Sequence, residues 1–184
     1  MPYDWATFSG KTFGLDDFAA YVGKLKWIDW KPEGITIHNT GAPTLAQWVE
    51  DGKKHDERIA NLKSYYQGLG WHAGPHIFAS RSHVTEFTSL VVRGVHSTCF
   101  NRTDIGIEMP GDFSAEPFDK GDGAMVRDTA VFVAATLFHA LGLDPRKNGV
   151  LHFHRECARD HHACPGRNVV KSDFLNRVVA RMGL

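Results

Sequence analysis

One short stretch near the C-terminus gathers imidazoles, thiols and carboxylates: Val150-Leu151-His152-Phe153-His154-Arg155-Glu156-Cys157, running on to Asp160-His161-His162-Ala163-Cys164-Pro165-Gly166. Neutral imidazole and thiolate are the donors zinc prefers, and a catalytic zinc needs three protein ligands with a fourth position left for water. Two ligand sets compete. A local set drawn from His154, Cys157, His161 and Cys164 has the short spacings of a closed structural knuckle. The other joins His38 to His154 and Cys164 and leaves a position open, which requires two distant segments to end side by side. Strand periodicity puts His152 and His154 on one face, so His152 stands as a reserve ligand. On chemistry alone the two sets are level.

The elements that would position these residues can be read from periodicity. Gly34-Ile35-Thr36-Ile37-His38-Asn39-Thr40 alternates β-branched and polar residues and stops at Gly41-Ala42-Pro43, a strand with His38 at its C-terminal end. Asp104-Ile105-Gly106-Ile107-Glu108-Met109 is another, with Ile105, Ile107 and Met109 on one face and Glu108 on the opposite one. A carboxylate on such a strand is costly to bury without a cationic partner. It is either one half of a salt bridge or a base beside a metal. Further strands are expected at 74–79, 84–92 and 150–154, and helices at 15–27, from Thr44 to about Gly68 with a break near Asp51-Gly52, at 125–141, and from Ser172 to Met182. Residues up to Phe13 read as an extended arm. The fold expected is mixed α/β, a central sheet of about five strands flanked by helices.

Bulk properties narrow the function. The chain has 184 residues and a formal net charge of zero, which suits one well-buried core and gives no general attraction to nucleic acid or anionic lipid. The opening residues have no basic segment leading into an apolar run, and no stretch reads as a membrane span. Three cysteines make no disulfide framework. Cys99 and Cys157 are read as unligated thiols, and a reducing compartment is expected.

A resemblance decides between the ligand sets. Ile35-Thr36-Ile37-His38-Asn39-Thr40, Gly74-Pro75-His76-Ile77-Phe78, Gly94-Val95-His96, Asp104-Ile105-Gly106-Ile107-Glu108 and His154-Arg155-Glu156 followed by Cys164-Pro165-Gly166 occur in an order that resembles the type 2 N-acetylmuramoyl-L-alanine amidases, whose fold is shared by peptidoglycan recognition proteins and phage endolysins. The resemblance runs from about residue 34 to about 170. It implies a zinc ion held by His38, His154 and Cys164, with Glu108 and His162 as catalytic residues. Asn39 and Thr40 are read as substrate contacts, and His76 and His96, near the proposed site, either line the substrate groove or equally serve behind the ligands or in the structure. His162 stands where many members carry a lysine, and histidine is the side chain whose charge changes nearest neutral pH. Pro75 lies near the place of a tyrosine in several members, which leaves Glu108 to act as base without it. The implied activity is hydrolysis of the amide between the lactyl group of N-acetylmuramic acid and the L-alanine of the stem peptide. On this reading residues 1–184 form a single monomeric zinc amidase domain, with 1–33 as an arm and helix packed on it. Its partner is peptidoglycan or a muropeptide, not nucleic acid. It is made in the cytoplasm without a signal peptide and reaches the wall by a phage or lysis-type route.

Overall fold

The computed structural model describes residues 5–50 and 52–184, so the first residues of the expected arm and Asp51 lie outside it. The chain runs β1 (Phe8–Phe13), α1 (Leu15–Val22), β2 (Gly34–Asn39), α2 (Gly52–Gly68), β3 (Ile77–Ala79), β4 (Val84–Thr88), β5 (Asp104–Met109), α3 (Gly121–Leu141), β6 (Leu151–Phe153) and α4 (Lys171–Met182). A 3₁₀ turn, His154–Glu156, follows β6 directly. The strands form one mixed sheet in the order β1-β4-β3-β5-β2-β6. The architecture is the mixed α/β expected, with one strand more. The polar, glycine-containing segment Phe8–Phe13 carries no strong period, and it becomes a strand by pairing antiparallel with β4 at the sheet edge.

Strand β2 lies parallel to both β5 and β6, and β5 is also parallel to β3. The C-terminal ends of β6, β2 and β5 therefore come out side by side, the usual place for a site in a parallel arrangement. Register sets His38 directly beside Glu108. One face of the sheet is apolar: Ile35, Ile37, Ile105, Ile107, Met109, Leu151 and Phe153 pack with Phe18 of α1, Phe174 of α4 and the length of α3. Helix α3 is long and apolar enough to cross a membrane by length and composition, contrary to the expectation that no stretch reads as a span, but about two thirds of its most apolar window is buried in this core. The opposite face is mixed. At one end Phe78 and Phe87 pack against Trp48 and against Ile59, Leu62 and Tyr66 of α2; at the other it bears Thr36, His38, Gly106, Glu108 and His152.

The cysteines differ from expectation. Cys99 and Cys157 are joined in a disulfide across 58 residues, and Cys164 is the free thiol. Such a pair persists in an oxidising environment and is reduced in a thiol-rich one. It also removes Cys157 from the local ligand set.

Candidate metal centre and cleft

The ligand atoms of His38, His154 and Cys164 all lie within 4.8 Å of one another, close to the span a zinc ion with bonds of roughly 2.0–2.3 Å can bridge. Each arrives differently. His38 ends β2 and is buried at 1% exposure. His154 opens the 3₁₀ turn, where the chain leaves strand geometry, and is also buried. Cys164 sits in a turn clamped by Arg155, whose backbone N–H donates to the Cys164 carbonyl at 2.7 Å and whose guanidinium donates to the carbonyls of Gly166 and Val169, both at 2.9 Å. Gly166 has φ +101°, and a Cβ there would lie 2.4 Å from the Phe113 carbonyl carbon, so the Pro-Gly of the motif is needed to seat this turn.

Hydrogen bonds fix the imidazole tautomers. His96 Nε2–H donates to the Asp104 carbonyl at 3.1 Å, so its Nδ1 accepts the Nε2–H of His38 at 3.0 Å, leaving His38 Nδ1 with a free lone pair. His154 Nε2–H donates to Asp160 at 2.8 Å, which leaves its Nδ1 free as well. An acceptor behind each imidazole, His96 Nδ1 for His38 and the Asp160 carboxylate for His154, is the outer support a metal-binding histidine needs. Burial keeps the His38 imidazolium strongly disfavoured, helped by His96, His154 and His162 around it, and burial lowers His154 against the pull of Asp160. Both rings are therefore neutral donors. The Cys164 thiol is pushed far up, first by burial and then by Glu108, so a metal must displace its proton.

Among the described residues Glu108 has no ion-pair partner beyond a 4.0 Å approach to His38 Nδ1, and its Oε2 is buried without a hydrogen-bond partner. Burial raises its pKa to about 8. In metal-free protein this makes a linkage prediction. The folded state holds the Glu108 proton between about pH 4.5 and pH 8 while the unfolded chain has released it, so stability falls with rising pH across that window, by about 1.4 kcal/mol per unit at most. In chelator, Glu108→Gln is expected to flatten this slope and to gain on the order of 4 kcal/mol over wild type at pH 8. Urea melts at several pH values test it, and parallel curves for the two proteins would remove the assignment.

A cleft of about 450 Å³ opens above the three donors. Asn39, Thr40, His96, Glu108 and His162 line it, and Tyr65, Tyr66, Leu69 and Trp71 from α2 and the turn after it form its aromatic wall. That wall was invisible in a helix whose sequence reads as polar surface. Asn39 lends its backbone N–H to Cys164 Sγ at 3.2 Å and its side chain to the Gly111 carbonyl at 2.9 Å. Thr40 Oγ1 donates to Pro43 and accepts from the Gly111 N–H, so both residues also shape the cleft rim. His162 is exposed at the mouth with its ring stacked on His154, centroids 4.7 Å apart.

His76 is not on the cleft: it is fully buried, donates to the Val92 carbonyl, accepts the Gly106 N–H and stacks on Trp30. His96 touches the cleft, but both its nitrogens are taken. His152, the reserve ligand, donates to Asp104 at 2.7 Å and stacks on Phe100, and it is not among the three convergent donors. His161 is exposed. Gly106 explains a glycine of the Ile-Gly-Ile-Glu motif, since a Cβ there would lie 2.5 Å from the His96 ring. Gly106→Ala is expected to displace His96, free the His38 ring and weaken zinc binding by roughly tenfold or more, as losses of outer support do. Unchanged zinc affinity in that variant would show that His96 does not hold His38.

Comparison with known proteins agrees with this geometry. The N-acetylmuramoyl-L-alanine amidase family model matches residues 29–167. The chain belongs to that amidase family. Among solved structures it is similar to the endolysin amidase LysCS from Clostridium intestinale URNW, with 16% identity, TM-score 0.59, and 84% of this chain and 85% of that one covered. It is likewise similar to the catalytic domain of XlyA (19% identity, TM-score 0.58, 80% and 86% covered). A Drosophila PGRP-LB variant in complex with tracheal cytotoxin aligns at 16% identity and TM-score 0.63 over 90% and 86% of the two chains. A search of curated proteins finds no match. The amidase motifs thus sit on the amidase fold, and the family is one of peptidoglycan amidases or binders.

Proposed function

We propose that this amidase is zinc-dependent and cuts the bond between the lactyl group of N-acetylmuramic acid and L-alanine, with residues 1–184 acting as one catalytic domain on the cell wall. The observation that carries the reading is the juxtaposition of three convergent donors with a buried, partnerless carboxylate oxygen at the floor of an open cleft. His38, His154 and Cys164 would hold the ion, which when bound acts as a Lewis acid toward water and the scissile carbonyl. Glu108, as a carboxylate, takes a proton from the hydrolytic water and delivers it to the departing alanine amine. His162, at the mouth, donates to the carbonyl oxygen as it gains negative charge. Tyr65 and Trp71 offer flat apolar faces on which a sugar ring or peptide can lie.

The test is zinc-loaded protein on purified peptidoglycan, with new N-termini identified chemically. Release of alanine N-termini is the expected result. Stoichiometric zinc with no new N-termini would leave a recognition module in place of an enzyme, and release from soluble muropeptides alone would redirect the substrate. For His162, replacement by Ala is expected to lower turnover by roughly 10²-fold, the scale of losing one oxyanion donor. Replacement by Lys, which keeps a donor at this place, should restore it. An Ala variant with wild-type turnover would take His162 out of the mechanism.

A further inference from the structure

The outer support of both imidazoles converges on one loop, residues 95–103, between β4 and β5. His96 at its start fixes His38. Ser97 Oγ and the Thr98 backbone N–H donate to Asp160 Oδ2 at 2.8 and 3.0 Å, and Thr98 Oγ1 donates to Oδ1. That same Oδ2 fixes His154. The loop is folded on itself by Asn101, whose side-chain oxygen accepts the N–H groups of His96 and Ser97 at 2.7 and 2.8 Å. Cys99 follows Thr98, and its disulfide partner Cys157 lies just after the turn that begins with His154. A small ring results: His154 to Cys157, across the disulfide to Cys99 and Thr98, and back through Asp160 to His154.

Two of the three contacts from the loop to Asp160 are solvent-exposed hydrogen bonds, for which water competes. The covalent bridge raises the effective concentration of Thr98 at Asp160 and so keeps these bonds formed. We propose that the Cys99–Cys157 disulfide is a redox gate on metal binding: oxidised, it locks Ser97, Thr98 and Asp160 behind His154 and His96 behind His38; reduced, it lets both imidazoles turn and the site loses affinity for zinc. The inference rests on the metal-site reading above. In the reductive step two thiols of a dithiol-class reductant exchange with the bridge, so that the Cys99–Cys157 bond breaks, each cysteine gains a proton, and the reductant leaves as its own disulfide. In a thiol-rich compartment the protein is then poorly loaded, and in an oxidising one it is armed.

The test uses the full chain stripped of metal, with zinc affinity measured by competition against a chromophoric chelator. Reduction is by a phosphine, which takes the oxygen of one water and leaves its two protons on the thiols. Reduced wild type and C99S/C157S are expected to bind zinc about 10–100-fold more weakly than the disulfide form, the range for lost outer-sphere support. Phosphine should have no effect on C99S/C157S. Asp160→Asn should weaken binding in the disulfide form and add little after reduction, because both changes act through the same contact. Equal affinities for oxidised and reduced wild type would overturn the gate. So would loss of the far-UV circular dichroism signal on reduction, because a local device leaves the sheet folded. Should C99S/C157S fail to fold, the oxidised and reduced wild-type comparison decides alone. No peptidoglycan enters the measurement: redox-dependent zinc binding without hydrolysis keeps the gate and removes the amidase mechanism, while hydrolysis with redox-independent binding does the reverse.

Discussion

Glu108→Gln is expected to keep its zinc and its fold and to lose about 10²–10⁴-fold in turnover on peptidoglycan, the usual contribution of a positioned base. The carboxylate stands in register with His38, and its Oε2 is orphaned. A buried carboxylate oxygen with no hydrogen-bond partner among the described residues carries a cost that a function would offset. Glutamine has the same shape, so the cleft survives, but it cannot accept the proton. Zinc content and thermal melting should match wild type in the metal-loaded form, which separates a chemical defect from a binding one. Turnover within a factor of a few of wild type would exclude Glu108 as the base.

The other large effect concerns His38. Structural zinc sites bind with about 10–16 kcal/mol in total, so deleting one of three donors removes roughly 4 kcal/mol, a factor of about a thousand in affinity. His38→Ala should therefore purify without stoichiometric metal, lose hydrolysis, and lose the rise in melting temperature that excess zinc gives the wild type. His152→Ala, a neighbour on the same sheet, should retain all three properties of the metal site, since its ring is spent on Asp104 and Phe100. A His38→Ala protein that still binds zinc tightly would return the ion to donors near the C-terminus and dismantle the cleft as the place of reaction.

These residues show where sequence reasoning carries and where it stops. The strand Asp104–Met109 was legible to the residue, because its alternation is strict and both its faces are used. Periodicity left His152 and His154 equivalent; the structure separates them because β6 ends at Phe153 and the following 3₁₀ turn brings His154 to the donor atoms of His38 and Cys164. Strand β1 was missed because its pairing with β4, not its own pattern, makes it a strand. The disulfide escaped for a related reason: its cysteines are 58 residues apart, and only the folded loops bring them together. Asp160 was visible in the C-terminal stretch, yet its role behind His154 depends on a partner loop in another part of the chain.

Strand β2 sits between a neighbour from the middle of the chain and one from its last fifth. During synthesis, then, a ribosome-bound nascent polypeptide that has emerged only through β5 offers His38 and Glu108 but neither His154 nor Cys164. The proposed metal site is complete only once the segment through Cys164 has joined the sheet, so a nascent chain that stops short of His154 lacks two of its three donors.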